Sequence, residues 1–262
     1  MSLDLDALLV AAQTAAHAGG EIVRAHFGSP PDVREKAPGD WVTAADTASE
    51  DAVRAILERE TGLAVFGEEA GGERAATGWL VDPLDGTANF VHGFDAVGVS
   101  IGLVVDGEPV VGVVHAPLLD RTYFARKGGG AFRDERRIHV SPRQPEQAIV
   151  ATGFPFRHKE LLPRYEPAFT KALHTFEDIR RVGGASLDLC WTAEGVFDGY
   201  FELHLGPWDV AAGAIIVREA GGIVTDWAGN DRAWLRSGNI LAGPPAVHAA
   251  LLEIASGTRE IG

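Results

Sequence analysis

Apolar residues Leu5, Leu8, Leu9, Ala12, Ala16, Gly19 and Val23 return at helical intervals and predict an amphipathic helix over 4–27, closed by Ser29-Pro-Pro31. Thr43-Ala-Ala-Asp46 has the form of a capping box and predicts a second helix over 43–60, with Glu50 and Asp51 suited to its first turns. The period then shortens. Short apolar runs at 63–66 and 79–81 read as buried strands, and 97–105 and 109–115 as a hairpin joined by Asp106-Gly107. Segments 122–126 and 132–140 continue an antiparallel meander around the glycines at 128–130. Composition shifts at Ser141-Pro-Arg-Gln-Pro145. Beyond it strands at 148–152, 178–182, 200–203, 223–225 and 240–242 alternate with helices at 160–174, 185–194, 208–219 and 245–255. The expectation is one α/β (α+β) domain over 1–262. It has a mostly antiparallel sub-lobe, 1–143, and an α/β sub-lobe, 144–262, with helices layered on sheets.

Composition narrows the function. Of 262 residues 46% are hydrophobic, enough for a sizeable core, and 23 Lys+Arg against 37 Asp+Glu leave a net charge of −14. Phosphate backbones are held by basic residues, so nucleic acid is not the expected direct partner. Cys190 is the single cysteine, so no disulfide can form within the chain; this suits a reducing, cytoplasmic setting and a buried thiol. The acidic start, Met1-Ser-Leu-Asp-Leu-Asp, lacks the basic region of a signal peptide, and the apolar run at 96–105 is too short to span a membrane.

Candidate chemistry concentrates in Trp79-Leu-Val-Asp-Pro-Leu-Asp-Gly-Thr-Ala-Asn-Phe90. Pro83 has no N–H to give to a ladder, so the strand is expected to stop there and release Asp82 and Asp85 at its carboxyl edge. Crevices beyond such edges bind ligands. Two carboxylates, a turn glycine (Gly86) and a hydroxyl (Thr87) form an inventory suited to hard divalent cations. Gly67-Glu68-Glu69 places a second acidic pair at a strand end. Each acid also has a plainer local reading. Asp85-Gly86 is a common turn, Asp46 and Asp209 suit helix N-termini, and Glu68-Glu69 suits a solvated loop. Lys36, ahead of the loop Ala37-Pro-Gly-Asp40, reads as a solvated charge, and Asp106-Gly107 and Asp198-Gly199 as simple turns. The glycines at 128–130 lack P-loop spacing.

Taken together, Gly67-Glu-Glu69, the 79–90 stretch, Trp208-Asp-Val-Ala-Ala-Gly213 and Glu219-Ala-Gly-Gly222 resemble the inositol monophosphatase family. The resemblance extends through Lys36, Asp46, the 125–132 hairpin, Thr152-Gly-Phe-Pro155 and Arg181-Val-Gly-Gly-Ala-Ser-Leu187, nearly the whole chain. It implies the αβαβα sandwich of lithium-sensitive phosphatases that use two or three Mg2+ ions, with Mn2+ a substitute and Li+ and Ca2+ inhibitory. Glu68, Asp82 and the Leu84 carbonyl would hold one ion, and Asp82, Asp85 and Asp209 a second. A third, weaker ion would sit at Glu68. Glu68 and Thr87 would orient the attacking water, with Asp46 supporting Thr87. The Gly86 and Thr87 amides would bind phosphate. Asp85, Gly184, Ala185, Glu202 and Asp209 would contact a small polyol or sugar monophosphate, with Lys36 and Glu69 close by. A homodimer is implied as well. This chain has Gly183-Gly184-Ala185 where many relatives carry a hydroxyl residue before the alanine, a departure that bears on which alcohol is preferred.

Overall fold

A computed structural model describes residues 3–30, 32–37, 40–72 and 75–256. Met1 and Ser2 of the acidic start, Pro31 of the expected helix stop and Pro38-Gly39 of the expected loop lie outside the described residues.

Asp4 caps α1 (Leu5–His26) by accepting the N–H groups of Asp6 and Ala7. Lys36 lies on β1 (Arg34–Ala37), which pairs antiparallel with β2 (Asp40–Val42), so the ends of the expected 37–40 loop, Ala37 and Asp40, belong to strands. The capping box forms as expected and opens α2 (Ala44–Thr61). Then come β3 (Ala64–Gly67), β4 (Thr77–Asp85), the short helix α3 (Thr87–Val91), β5 (Gly98–Val105) and β6 (Glu108–Ala116). The Asp106-Gly107 turn has both residues at positive φ, the geometry a two-residue hairpin needs. The expected strand at 132–140 is two strands, because Asp134 turns left-handed between β8 (Gly130–Arg133) and β9 (Arg136–Ile138). With β7 (Arg121–Arg126) they complete a seven-stranded sheet in the order β3-β4-β5-β6-β7-β8-β9, antiparallel except for β3 and β4.

The remaining strands are β10 (Ile149–Thr152), β11 (Asp178–Arg180), β12 (Gly199–Glu202), β13 (Ile223–Thr225) and β14 (Ile240–Gly243). They form a mixed sheet ordered β11-β10-β12-β14-β13. Its helices are α4 (Leu162–Thr175), α5 (Ala185–Glu194), α6 (Pro207–Glu219), α7 (Trp234–Ser237) and α8 (Pro245–Ser256). Asp198 is more than a turn residue. It is fully buried and accepts from Ser141 Oγ, Arg143 Nη1 and Ile149 N.

Three apolar clusters define the layering. Leu8, Ala12 and Val23 of α1 and Val53 and Leu57 of α2 pack on one face of the large sheet with Trp79, Val81, Ile101 and Val113. Val114, Tyr123 and Ala125 on its other face meet Leu187 and Leu189 of α5 and Val210, Ile215 and Ile216 of α6, which also meet Tyr200, Ile240 and Ala242 of the second sheet. Tyr165, Ala168 and Ala172 of α4 and Val247 and Leu251 of α8 cover that sheet's far side. The result is an αβαβα sandwich. β5 and β6 are covered on both faces, which explains their unbroken apolar runs. For the same reason α6 is apolar all round and buries Val210, Ile215, Ile216 and Val217, each contributing about 1.5–3 kcal/mol of transfer free energy.

α6 lies unusually close to the large sheet. A Cβ at Gly102 would sit 2.7 Å from Ala211 Cβ, and one at Gly112 would sit 2.6 Å from the Ala212 carbonyl oxygen. Glycine at these two strand positions lets the helix backbone rest on the sheet. Among the described residues no helix is long and apolar enough to cross a membrane.

Candidate functional site

β4 does not end at Pro83. The missing N–H breaks the ladder, and the register slips, so that Asp82 opposes Ser100 and Asp85 opposes Gly98. Asp82 Oδ1 accepts the Leu84 N–H at 3.0 Å across the bulge. Gly86, at φ 86°, then turns the chain into α3, which starts at Thr87. Beside β4, the Glu68 N–H donates to the Val81 carbonyl and holds Glu68 at the end of β3. From the second half of the chain, Ser100 Oγ donates to the Trp208 carbonyl at 3.0 Å, and Asp209 Oδ2 accepts the Gly206 N–H at 2.6 Å. These contacts bring one carboxylate oxygen each of Glu68, Asp82 and Asp209 within 4.8 Å of one another. Asp85 stands apart from that trio. Its Oδ2 accepts both the backbone N–H (2.8 Å) and the hydroxyl of Ser186 in the first turn of α5.

The cluster is electrostatically costly as it stands. Burial, together with Glu68, Asp85 and Asp209, pushes the Asp82 carboxyl well above its ordinary value. Burial, with Glu68 and Asp85, does the same to Asp209. Burial raises Glu68 to about 7 against the opposing pull of Lys36. Hard oxygen donors, converging from three segments and disfavoured as bare anions, are the donor set that divalent cations take.

Two polar contacts frame the cluster. Thr87 Oγ1 lies 3.0 Å from Asp46 Oδ1 and 3.0 Å from the Leu84 carbonyl oxygen. The other oxygen of Asp46 accepts from the N–H and hydroxyl of Thr43, so the carboxylate is held at both ends. On the open side Lys36 Nζ bridges Glu68 Oε1 (3.2 Å) and Glu69 Oε1 (2.6 Å). Burial opposes the lysine's charge, yet the two glutamates more than offset this and raise its pKa.

A cleft of about 330 Å³ opens over the acids, and Thr87, Gly86, Ala185 and Glu202 line it. Glu202 ends β12 and accepts from Tyr200 Oη; burial lifts its pKa to about 7. Gly184 is not among the lining residues. It precedes α5, with its Cα face toward Asp85, and its neighbours Gly183 and Ala185 meet the cleft instead.

The profile of the inositol monophosphatase family matches residues 4–260. The chain belongs to the inositol monophosphatase family. It is 37% identical over 264 residues to a fructose-1,6-bisphosphatase/inositol-1-monophosphatase of Aquifex aeolicus, an alignment covering 98% of each chain. It is 42% identical over 226 residues to a putative Nus factor SuhB of Neisseria meningitidis, covering 84% of this chain and 86% of that one. The crystal structure of extragenic suppressor protein SuhB from Bartonella henselae matches with a TM-score of 0.90 at 35% identity, over 97% of this chain and 100% of that chain. The family is one of metal-dependent phosphatases, and the acid cluster has the donor chemistry such an enzyme needs.

The family motifs leave the roles of several site residues unmarked. Ser186, inside the 181–187 stretch, orients Asp85. Ser49 Oγ donates to the Pro83 carbonyl at 2.9 Å, and Glu50 is buried. Their signal was available, because they follow Asp46 by three and four residues and so share its helix face. Asp188, almost wholly buried, has an Oδ1 with no hydrogen-bond partner among the described residues. No sequence signal separates it from an ordinary helical acid.

Proposed function

We propose that the protein is a Mg2+-dependent phosphomonoesterase acting on a polyol monophosphate, with myo-inositol monophosphate the substrate its cleft suits best. The convergence of Glu68, Asp82 and Asp209 beside the Thr87–Asp46 pair carries this reading. In it, Glu68, Asp82, the Leu84 carbonyl, Asp85 and Asp209 hold two cations, and a third binds weakly at Glu68. Bound cations supply positive charge to the phosphoryl oxygens and the leaving alkoxide and make the attacking water more acidic. The chain's own groups do the rest. Thr87 gives its hydroxyl hydrogen to Asp46, so its free lone pair accepts one hydrogen of the water. Glu68 takes the other as general base, which aims the water's lone pair at phosphorus; as that bond forms the ester P–O bond breaks, and the alkoxide takes a proton from water in the open cleft and leaves as the alcohol. The Gly86 and Thr87 amides hold the phosphate, Lys36 and Glu69 balance charge at the rim, and Glu202 accepts hydrogen bonds from vicinal hydroxyls beside Ala185.

Two further readings have support. The name of the Aquifex relative favours action on fructose 1,6-bisphosphate or a broader set of sugar phosphates, although the Glu202 carboxylate would repel a second phosphate. Relatives named Nus factors favour a partner-binding role beside catalysis. Capture of partners from lysate by wild type and by a metal-site variant separates that role from turnover. The proposal also includes a cytoplasmic homodimer, which light scattering measures; the buried free thiol of Cys190 agrees with a reducing compartment.

Phosphate release from a panel of esters tests the main reading. Inositol 1-phosphate is expected to give the highest kcat/KM, with release abolished by EDTA and restored by Mg2+. Release that survives EDTA, or a better rate with the bisphosphate, would overturn it.

A further inference from the structure

α2 touches the site at three places. Asp46, Ser49 and Glu50 share one face of the helix, and all three are buried. Each bonds a different segment. Asp46 holds the Thr87 hydroxyl, Ser49 holds the carbonyl of Pro83 between Asp82 and Asp85, and Glu50 holds the turn that follows Glu68. The Glu50 contacts are the most developed. One carboxylate oxygen accepts the Glu69 N–H at 2.8 Å and the other accepts the Ala70 N–H at 3.0 Å. Arg54, one helical turn on, pairs with Glu50 at 3.1 Å. Its guanidinium also donates to the carbonyls of Val65 (2.8 Å) and Gly71 (2.9 Å), on either side of the turn. Gly67 is the residue just before Glu68, and a Cβ there would lie 2.3 Å from the Glu50 carboxylate. The carboxylate therefore packs flat against the backbone on both sides of Glu68.

We infer that Glu50 is a positioning residue for Glu68, fixing from behind the backbone that aims the Glu68 carboxylate at Asp82 and Asp209. This inference rests on the proposed reading that Glu68 holds a divalent cation. A purely stabilising role explains the arrangement poorly. Ala70 is exposed and Glu69 half-buried, so water could serve those amides without a buried carboxylate. Burying an ion pair costs desolvation and adds little net stability, whereas it does set geometry. Groups standing behind metal ligands typically change metal affinity 10–100-fold when replaced.

The test is calorimetric titration of EDTA-stripped protein with Mn2+ and Mg2+, alongside melts of the metal-free protein. Glu50→Gln keeps the shape of the side chain but turns one acceptor into a donor facing a backbone N–H. It is expected to raise the metal dissociation constant by about 10–100-fold at a temperature where the metal-free variant is fully folded, and also to lower the metal-free melting temperature, because Arg54 loses its buried partner. Glu50→Asp keeps the charge for Arg54 but cannot span both amides; it serves if the glutamine variant does not fold, and a similar weakening is expected. Glu58→Gln removes the other, exposed partner of Arg54, 3.6 Å away, and is expected to bind metal as wild type does. Wild-type affinity in a folded Glu50→Gln or Glu50→Asp protein overturns the inference alone. Absence of metal binding by wild type overturns the metal reading and the inference with it.

Discussion

Asp82→Asn separates the cost of assembling the acid cluster from its use. Asp82 is 2% exposed, with carboxylate oxygens of Glu68 and Asp209 within 4.8 Å. At an effective dielectric constant of about 20, two full charges at that separation repel by about 3.5 kcal/mol. Protonation relieves part of this in the metal-free protein, as the raised pKa values of the trio record. The relief itself costs free energy at alkaline pH, because the unfolded chain carries ionised carboxylates there. Asparagine keeps the acceptor for the Leu84 N–H and gains an amide that can donate to a neighbouring carboxylate. The metal-free variant is therefore expected to be more stable than wild type at pH 8 by about 1–3 kcal/mol, a rise of roughly 3–10 °C in Tm for a chain of this size. Phosphatase activity is expected to fall at least 100-fold, about 2.7 kcal/mol of barrier. Melts in EDTA, calorimetry with Mg2+ and phosphate release read the three quantities. A variant that melts below wild type without metal, or that binds Mg2+ with wild-type affinity, refutes the placement of Asp82 at the centre of the repulsion.

Glu202 has a folded pKa of about 7 against an ordinary 4.5, so its burial costs nothing below pH 4.5, and stability is lost as pH rises through 7. The metal-free Glu202→Gln protein should therefore match wild type near pH 4.5 and exceed it by roughly 3 kcal/mol above pH 7; comparing the pair cancels His115, whose pKa, lowered by burial to about 4, acts in the opposite direction. In assays the same variant should lose discrimination for inositol 1-phosphate over fructose 1,6-bisphosphate by about 1–3 kcal/mol while p-nitrophenyl phosphate is turned over normally. On the proposed reading Thr87→Val should lower kcat roughly 100-fold or more, and Thr87→Ser should stay within about tenfold, because the hydroxyl would serve both Asp46 and the water. Asp198→Ala should cost roughly 2–3 kcal/mol in urea unfolding by leaving the Ile149 N–H without its acceptor, with little effect on kcat.

Much of the fold was legible because its signals are local. The α1 periodicity, the Thr43–Asp46 box and the Asp106-Gly107 turn act within a few residues and formed as expected. Pro83 was half legible. Its missing N–H breaks the ladder, but tertiary pairing with Ser100 and Gly98 carries the strand onward, so the chain bulges instead of leaving the sheet. The β1–β2 pair escaped notice because its residues are exposed or half-buried and show no apolar alternation. In the site, the acids were legible as motifs. What holds them was legible only in part: helical spacing puts Glu50 on the face of Asp46, but that it meets the Ala70 N–H, and that Ser186 meets Asp85, are pairings between distant segments with no local signal.

The seat of α6 on Gly102 and Gly112 has a consequence for the order of synthesis. A nascent chain that has emerged as far as residue 206 carries Glu68, Asp82 and Asp85 but not Asp209. Asp209 arrives only when α6 has been made and has settled onto strands completed long before. On the proposed reading, full-strength cation capture is thus withheld until the late helix has docked. Metal uptake then reports the docking of α6, and a methyl group at either glycine would push the helix off its seat and weaken uptake without touching an acid.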